Sequence, residues 1–307
     1  MSDARALNAW RRAGYRLLPG DAFSYILHMR PAEWPIMAGH TALGYVMAVG
    51  IGGLARGVAL GPALWGLLAW VVFLNGGTLA INSVFDRDEG DIGYLTTPPP
   101  PPRYLLAFSV LLLAGGQLLA LTLPPLFAVD YAACFALSVL YSVPPFRFKA
   151  VAGADWVINM VGFGALTPIA GWAVTGRALD LPHALALGGF CPLFAGLYPL
   201  TQLYQFDEDR RRGDRTLALM LGMRASLRVA IVCTVFAFAV FALAAGLSGD
   251  APRLPLLAVA LAAWLFVLLP WYRGHTRRSP AEHERGMYRA LAAWAVTDLA
   301  ALLVFAR

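Results

Sequence analysis

Two groups of acidic side chains close two otherwise apolar stretches of the chain, Asn82-Ser83-Val84-Phe85-Asp86-Arg87-Asp88-Glu89-Gly90-Asp91 and Gln205-Phe206-Asp207-Glu208-Asp209-Arg210. They hold seven of the 18 acids, a concentration that packing a membrane bundle does not call for. Each ionised group near hydrocarbon costs free energy unless it meets a cation. At a helix C-terminus the negative end of the macrodipole adds to the carboxylates, so each cluster repels anions and attracts cations. Hard oxygens on short acidic side chains suit Mg²⁺, which keeps several waters and shares its shell with substrate phosphates. The chemistry implied is a diphosphate bridged through Mg²⁺ to two facing acidic helix ends. Arg147 and Lys149 would clamp the remaining phosphate oxygens, with Arg87 or Arg210 as further clamps. Lys149 is the only lysine in the chain.

The helices that carry these groups must aim them at one place. Asn75, Thr78, Asn82 and Asp86 are spaced by three, four and four residues, which stacks them on one helical face. Tyr198, Thr201, Gln202, Gln205 and Asp209 repeat the device in a second stretch. For Asn75, Thr78 and Thr201 taken alone, hydrogen-bonded glue between membrane helices is the simpler reading; the carboxylates at the ends of the stripes favour a ligand. Phe85, Tyr198, Tyr204 and Phe206 lie near the motif ends and could face a cation with their rings. Most of the 37 Phe, Tyr and Trp residues must instead be packing or interfacial belt.

At 59% hydrophobic and 14% charged over 307 residues, the composition is that of an integral membrane protein. Nine apolar stretches are long enough, or nearly so, to span: 35–54, 63–85, 104–122, 124–142, 156–174, 183–205, 225–247, 254–272 and 287–306. No signal-peptide pattern precedes the first. The N-terminal segment and the 2–3, 4–5, 6–7 and 8–9 loops hold 20 of the 24 basic residues. The positive-inside rule then puts the N-terminus and both acidic clusters on the cytoplasmic side, and the expected location is a bacterial plasma membrane. The net charge of +6 follows from that topology and from attraction to anionic headgroups; it is no signal of nucleic acid. Residues 1–33 mix Leu7, Trp10 and Tyr15 with Arg5, Arg11, Arg12 and Arg16, the pattern of a helix lying in the interface, or else a solvated tail. Pro98 to Pro102 form a stiff spacer after the first cluster. Cys134, Cys191 and Cys233 fall in apolar stretches without metal-ligand spacing. Asp155 reads as a helix cap or an acceptor-site base, and Asp298 and His40 as mid-span groups that pair with neighbours or take part in chemistry.

Four features occur in order along nearly the whole chain. They are Arg30-Pro31-x-x-Trp34, Asn82-x-x-x-Asp86, Tyr141-Ser142-x-Pro144-Pro145 with its basic tail, and Asp209-Arg210-x-x-Gly213-Asp214-x-Thr216-Leu217. Together they resemble the UbiA superfamily of intramembrane prenyltransferases. The resemblance implies an all-α, multi-pass bundle of nine transmembrane helices (34–307) around a central cavity. It also implies Mg²⁺-dependent loss of diphosphate from a prenyl diphosphate donor and alkylation of a hydrophobic acceptor, most often aromatic or a quinone precursor. Family roles fall on Asn82 and Asp86 at one metal site and Asp209 at the other, with Tyr141, Arg147 and Lys149 around the diphosphate. Gln205, Tyr198, Asn75, Arg87 and Arg210 complete the expected substrate contacts.

The chain departs from the family pattern in three places, one being that the arginine-proline pair common after the first motif is absent, replaced by the proline run and Arg103. The third position of the first motif is Gly90, so Asp91, or else Asp88 or Glu89, must supply the missing acid. In the second motif Gln205 replaces an acid, and Asp207 or Glu208 would compensate. Two other functions use the same elements. A terpene cyclase, or a transferase with a non-aromatic acceptor, keeps the metal site and changes the cavity. A transporter would place its coordinating groups near the midplane instead of at helix ends.

Overall fold

In lipid the backbone must satisfy its own hydrogen bonds, so long apolar runs fold as helices. The computed structural model describes residues 9–86, 95, 97–213 and 215–307, and every regular element among these is helical. Two short helices, α1 (Ala9–Leu17) and α2 (Ala22–His28), precede α3 (Trp34–Ala55). The bundle continues through α4 (Leu60–Asp86), α5 (Leu105–Ala120), α6 (Pro125–Ser142), α7 (Ala154–Ala173) and α8 (Leu181–Gln202). After the small helices α9 (Phe206–Arg212) and α10 (Leu217–Leu221) come α11 (Met223–Leu247), α12 (Leu254–Gly274) and α13 (Pro280–Phe305).

Each of the nine expected spans corresponds to a helix, and eight helical stretches are long and apolar enough to cross a membrane. The exception is α5, whose 16 residues reach about 24 Å at 1.5 Å per residue. That is short of the ~30 Å hydrocarbon core. Two apolar cores form. One gathers Trp70, Leu113, Phe127 and Tyr131 from α4, α5 and α6 with parts of α3 and α7. The other gathers Phe190, Phe241, Trp264, Trp271 and Trp294 from α8, α11, α12 and α13. The N-terminal segment is tied to this bundle: Arg11 is buried and donates to the Thr97 carbonyl at 3.1 Å, and Phe23 and Leu27 pack against Leu95.

Three local features shape the space between the cores. Leu68–Asn75 in α4 and Met160–Leu166 in α7 are π-helical, a wider winding that often marks functional sites. Trp70 Nε1 of the first donates to Thr167 Oγ1, at the end of the second, at 3.3 Å. Pro199 interrupts α8 and cannot donate to the Ala195 carbonyl; that oxygen instead accepts from Trp156 Nε1 at 2.7 Å.

One boundary corrects the sequence reading. The second apolar stretch with an acidic end is not continuous to 205: α8 stops at Gln202, and Asp209 sits inside the separate seven-residue helix α9. The macrodipole argument therefore fails for Asp209, while α4 is described as far as Asp86.

Candidate active site

A polar ladder joins α4 to α6. Thr78 Oγ1 lies 2.7 Å from Ser138 Oγ, Ser142 Oγ donates to Asn82 Oδ1, and Lys149 Nζ donates to Asp86 Oδ1. The first two rungs share a sequence offset of 60, so the helices advance in the same direction and keep register along the stripe. The last rung comes from the loop after α6, where Lys149 is buried. Its pair with Asp86 has side-chain exposures of only 9% and 18%, so bulk salt screens it little. An isolated parallel bridge between Val151 and Arg215 fastens this loop to the segment after α9. The chain thus brings the basic loop beside the second acidic motif.

The ladder forms one wall of a cavity of about 470 Å³. Asn75, Thr78, Asn82 and Asp86 line it from α4, and Tyr198, Thr201, Gln202, Gln205 and Asp209 from α8 and α9. Both stripes expected from spacing meet the same space, and Asp86 and Asp209 share one rim. Asp209 is itself buried and accepts from Thr216 Oγ1 at 3.3 Å. Across the middle, Tyr141 and Tyr198 hydroxyls lie 3.1 Å apart. Deeper, the rings of Phe163 and Phe194 stack at 5.2 Å, and Phe194 stacks on Tyr198 at 6.3 Å. Trp70, Leu74, Cys134, Leu137 and Leu291 complete apolar walls. A rim of charge over an aromatic chamber suits an anionic head and an apolar tail.

Not every expected residue reaches this space. Arg147, at the left-handed turn before Lys149, is not among the lining residues. Arg210 and Asp207 pair with each other at 3.0 Å, both largely exposed and off the cavity. An exposed i,i+3 pair of this kind contributes little. Phe85 and Phe206 also lie off it. Arg87, Asp88, Glu89 and Asp91 lie outside the described residues, as does the side chain of Glu208.

Asp155 is neither a cap nor a cavity group. Its carboxylate accepts from Gly153 N at 2.9 Å, and from Gln202 Nε2 and Leu217 N at 3.2 Å, tying α7 to α8 and α10. Mid-span, Asp298 pairs with His40 Nδ1 at 3.3 Å, and His40 packs edge-on against Phe190 and Trp294. The three cysteines are free. Sequence reasoning gave no site role to Arg30 and Glu33, which pair at 3.7 Å on the cavity wall, or to Met287, Tyr288 and Leu291 of α13. The Arg30-Pro31-x-x-Trp34 pattern was the available signal for the first two; nothing in spacing marked α13.

The donor set fits Mg²⁺. Carboxylates of Asp86 and Asp209 and amides of Asn82 and Gln205 put hard oxygens on one rim. Among the described residues no three His, Cys, Asp or Glu side chains come together as an all-protein cage. Mg²⁺ needs none, since one or two carboxylates suffice when phosphate and water fill the shell.

A membrane bundle with this rim and chamber belongs to the class of intramembrane prenyltransferases. The UbiA prenyltransferase family model matches residues 34–303, and the chain belongs to that family. A lycopene elongase/hydratase of Haloarcula japonica is 30% identical over 233 residues, covering 71% of this chain and 74% of the relative. One from Haloferax volcanii is 31% identical over 234 residues, covering 73% of each. The fold matches a UbiA homolog from Archaeoglobus fulgidus bound to GPP and Mg²⁺, with TM-score 0.69, 19% identity, and 92% of this chain and 100% of that one covered. The protein is a prenyltransferase, and family membership removes the transporter reading.

Proposed function

We propose that the protein transfers a short prenyl group from a prenyl diphosphate to the end of a neutral polyene hydrocarbon, releasing diphosphate on the cytoplasmic side of the membrane. The observation that carries this reading is the pair of relatives at 30% and 31% identity, both lycopene elongase/hydratases matched over nearly three quarters of their length. It favours the non-aromatic acceptor over the aromatic or quinone precursor that the family resemblance alone implied. The apolar and aromatic walls suit such an acceptor, and the cationic groups of the lining, Arg30 and Lys149, already pair with Glu33 and Asp86.

In this reading Asp86, Asp209, Asn82 and Gln205 would hold Mg²⁺ at the cavity end, with Asp88, Glu89 or Asp91 as further candidate ligands. Bound there, Mg²⁺ would neutralise diphosphate charge and so improve the leaving group. Lys149 shifts from Asp86 toward the departing oxygens, supplying charge where it develops. Tyr141 and Tyr198 hold the neck between rim and chamber. The ring faces of Phe163, Phe194 and Tyr198 stabilise the allylic cation and exclude water from it.

Membranes containing the protein, supplied with DMAPP, Mg²⁺ and lycopene, should yield elongated products by mass spectrometry. Parallel incubations with an aromatic carboxylic acid, or with DMAPP alone, should yield none. Products from the aromatic acid and none from lycopene would overturn the acceptor assignment, and a cyclic terpene from a longer prenyl diphosphate such as GPP with no acceptor added would make the protein a cyclase.

A further inference from the structure

The turn that enters α3 puts a charged pair on the wall of the chamber. Arg30 and Glu33 both line the cavity, with side-chain exposures of 13% and 24%, and their charged atoms lie 3.7 Å apart. Other contacts already hold this turn. Arg30 N donates to Leu27 O and Glu33 N to Arg30 O, each at 3.0 Å, and Trp34 Nε1 donates to Met29 O at 3.0 Å. Arg30 nevertheless takes the left-handed conformation, with φ 48°, which is unfavourable for a residue with a Cβ and is kept where the direction of the side chain matters. An ion pair set among apolar groups is costly as well, and hydrophobic residues of similar volume often serve a fold equally. At 3.7 Å the contact is ionic but too long for a hydrogen bond. Arg30 Nε is buried and has no partner. Glu33 therefore cancels the charge of Arg30 while leaving this donor unfilled.

We infer that Glu33 is the acceptor filter of this enzyme: ionised beside Arg30, it keeps anionic acceptors, such as aromatic carboxylic acids, out of the chamber and leaves neutral hydrocarbons unaffected. The inference rests on the polyene reading above. Specificity is a difference of affinities and is often secured by a repulsive element against the wrong partner. With Glu33 in place, a carboxylate that approaches Arg30 meets a neutral pair and sets a second negative charge beside the first. In a water-poor site that repulsion is strong. Without Glu33 the same carboxylate meets a bare guanidinium, whose planar fork matches it. A neutral polyene carries no charge for either group to act on. The other cation of the lining, Lys149, belongs to the Asp86 rung and to the diphosphate. The pair on α3 is thus free to sort acceptors, and the next residues of that wall, Ile36 and Met37, are apolar.

The filter can be read without turnover, by equilibrium dialysis of the full-length protein in detergent with labelled benzoate and its neutral analogue benzamide. The wild type should bind benzoate no better than benzamide. In Glu33→Gln, which keeps the size of the side chain, benzoate affinity should rise on the order of a hundredfold, the scale for relief of one like-charge contact, while benzamide affinity stays nearly constant. Adding Arg30→Gln to Glu33→Gln should abolish the gain, because the guanidinium holds the anion. Glu33→Asp keeps the charge and should behave as the wild type does. In membranes with DMAPP, Mg²⁺ and lycopene, benzoate should inhibit elongation by Glu33→Gln at concentrations well below those that inhibit the wild type.

Equal benzoate affinity in wild type and Glu33→Gln overturns the filter. A parallel gain for benzamide also overturns it, since the substitution would then merely open space. Should Glu33→Gln fail to elute as a folded protein, Glu33→Ala gives the same reading; failure of both places the pair in the fold and overturns the filter. Failure of the polyene reading shows separately, as no elongated product from the wild type with lycopene, and does not enter the dialysis result.

Discussion

Asp86→Ala is expected to lower diphosphate release from DMAPP by on the order of 10³-fold, the scale for removing one group that stabilises developing charge in a water-poor site. Asp86 lines the cavity from α4 and holds Lys149 there. Asp86→Asn keeps the shape and a hydrogen-bond acceptor for Lys149, yet removes the charge a hard cation needs. It should be nearly as inactive as Asp86→Ala, which separates loss of the metal site from loss of packing. Asp209→Ala should match it from the other half of the bundle. All three variants should still elute from size exclusion in detergent as the wild type does, and EDTA should arrest the wild type reversibly. Turnover within tenfold of the wild type in any of the three would remove that carboxylate from the proposed metal site.

The helices were legible because lipid forces apolar runs into them and because 3.6-residue spacing reveals a polar stripe on an apolar helix. The stripe Asn75, Thr78, Asn82, Asp86 could be read for this reason, and the cavity takes all four. Other features depend on partners distant in sequence. Nothing local to Lys149 shows that it pairs with Asp86, 63 residues earlier. Spacing also treated the run through 205 as one helix, when the turn after Gln202 redirects the chain and sets Asp209 on α9. Arg147 and Arg210 were inferred from charge and proximity in sequence, and the turn before Lys149 and the pairing with Asp207 take them elsewhere. Phe163 and Phe194 looked like ordinary packing; only their stacking on the cavity wall distinguishes them. Asn75 was read as glue between helices or a ligand contact, and its unsatisfied Nδ2 favours the ligand.

The second large effect is expected far from the charge, where α3 crosses α7. A Cβ on Gly44 would overlap the Pro168 carbonyl and lie 3.0 Å from Trp172 N, while one on Gly171 would overlap the Thr41 carbonyl and lie 3.0 Å from Tyr45 N. Each glycine fills the gap between residues four apart on the facing helix, so the two backbones interlock. Small residues permit such approach in membranes, where helices associate by packing and hydrogen bonding without hydrophobic drive. A methyl group at either site meets backbone, which cannot rotate aside. Gly44→Ala or Gly171→Ala must therefore force the helices apart, at a cost of about 3 kcal/mol or more, the upper range for overpacking. Gly39→Ala on the same α3, with nothing within 4 Å of the new atom, should be neutral or slightly stabilising through helix propensity. Thermal unfolding in detergent, followed by loss of the monodisperse peak, distinguishes these outcomes; equal midpoints for Gly39→Ala and Gly171→Ala would show that the crossing is not a close one. The same wedge reaches function, because Ile36 and Met37 of α3 and Phe163 and Thr167 of α7 line the cavity. Separating the helices displaces Thr167 from Trp70 and lets water into the chamber that must keep the allylic cation dry. Gly171→Ala should then lose prenyl transfer even at temperatures where it remains folded, with diphosphate released by hydrolysis in place of transfer.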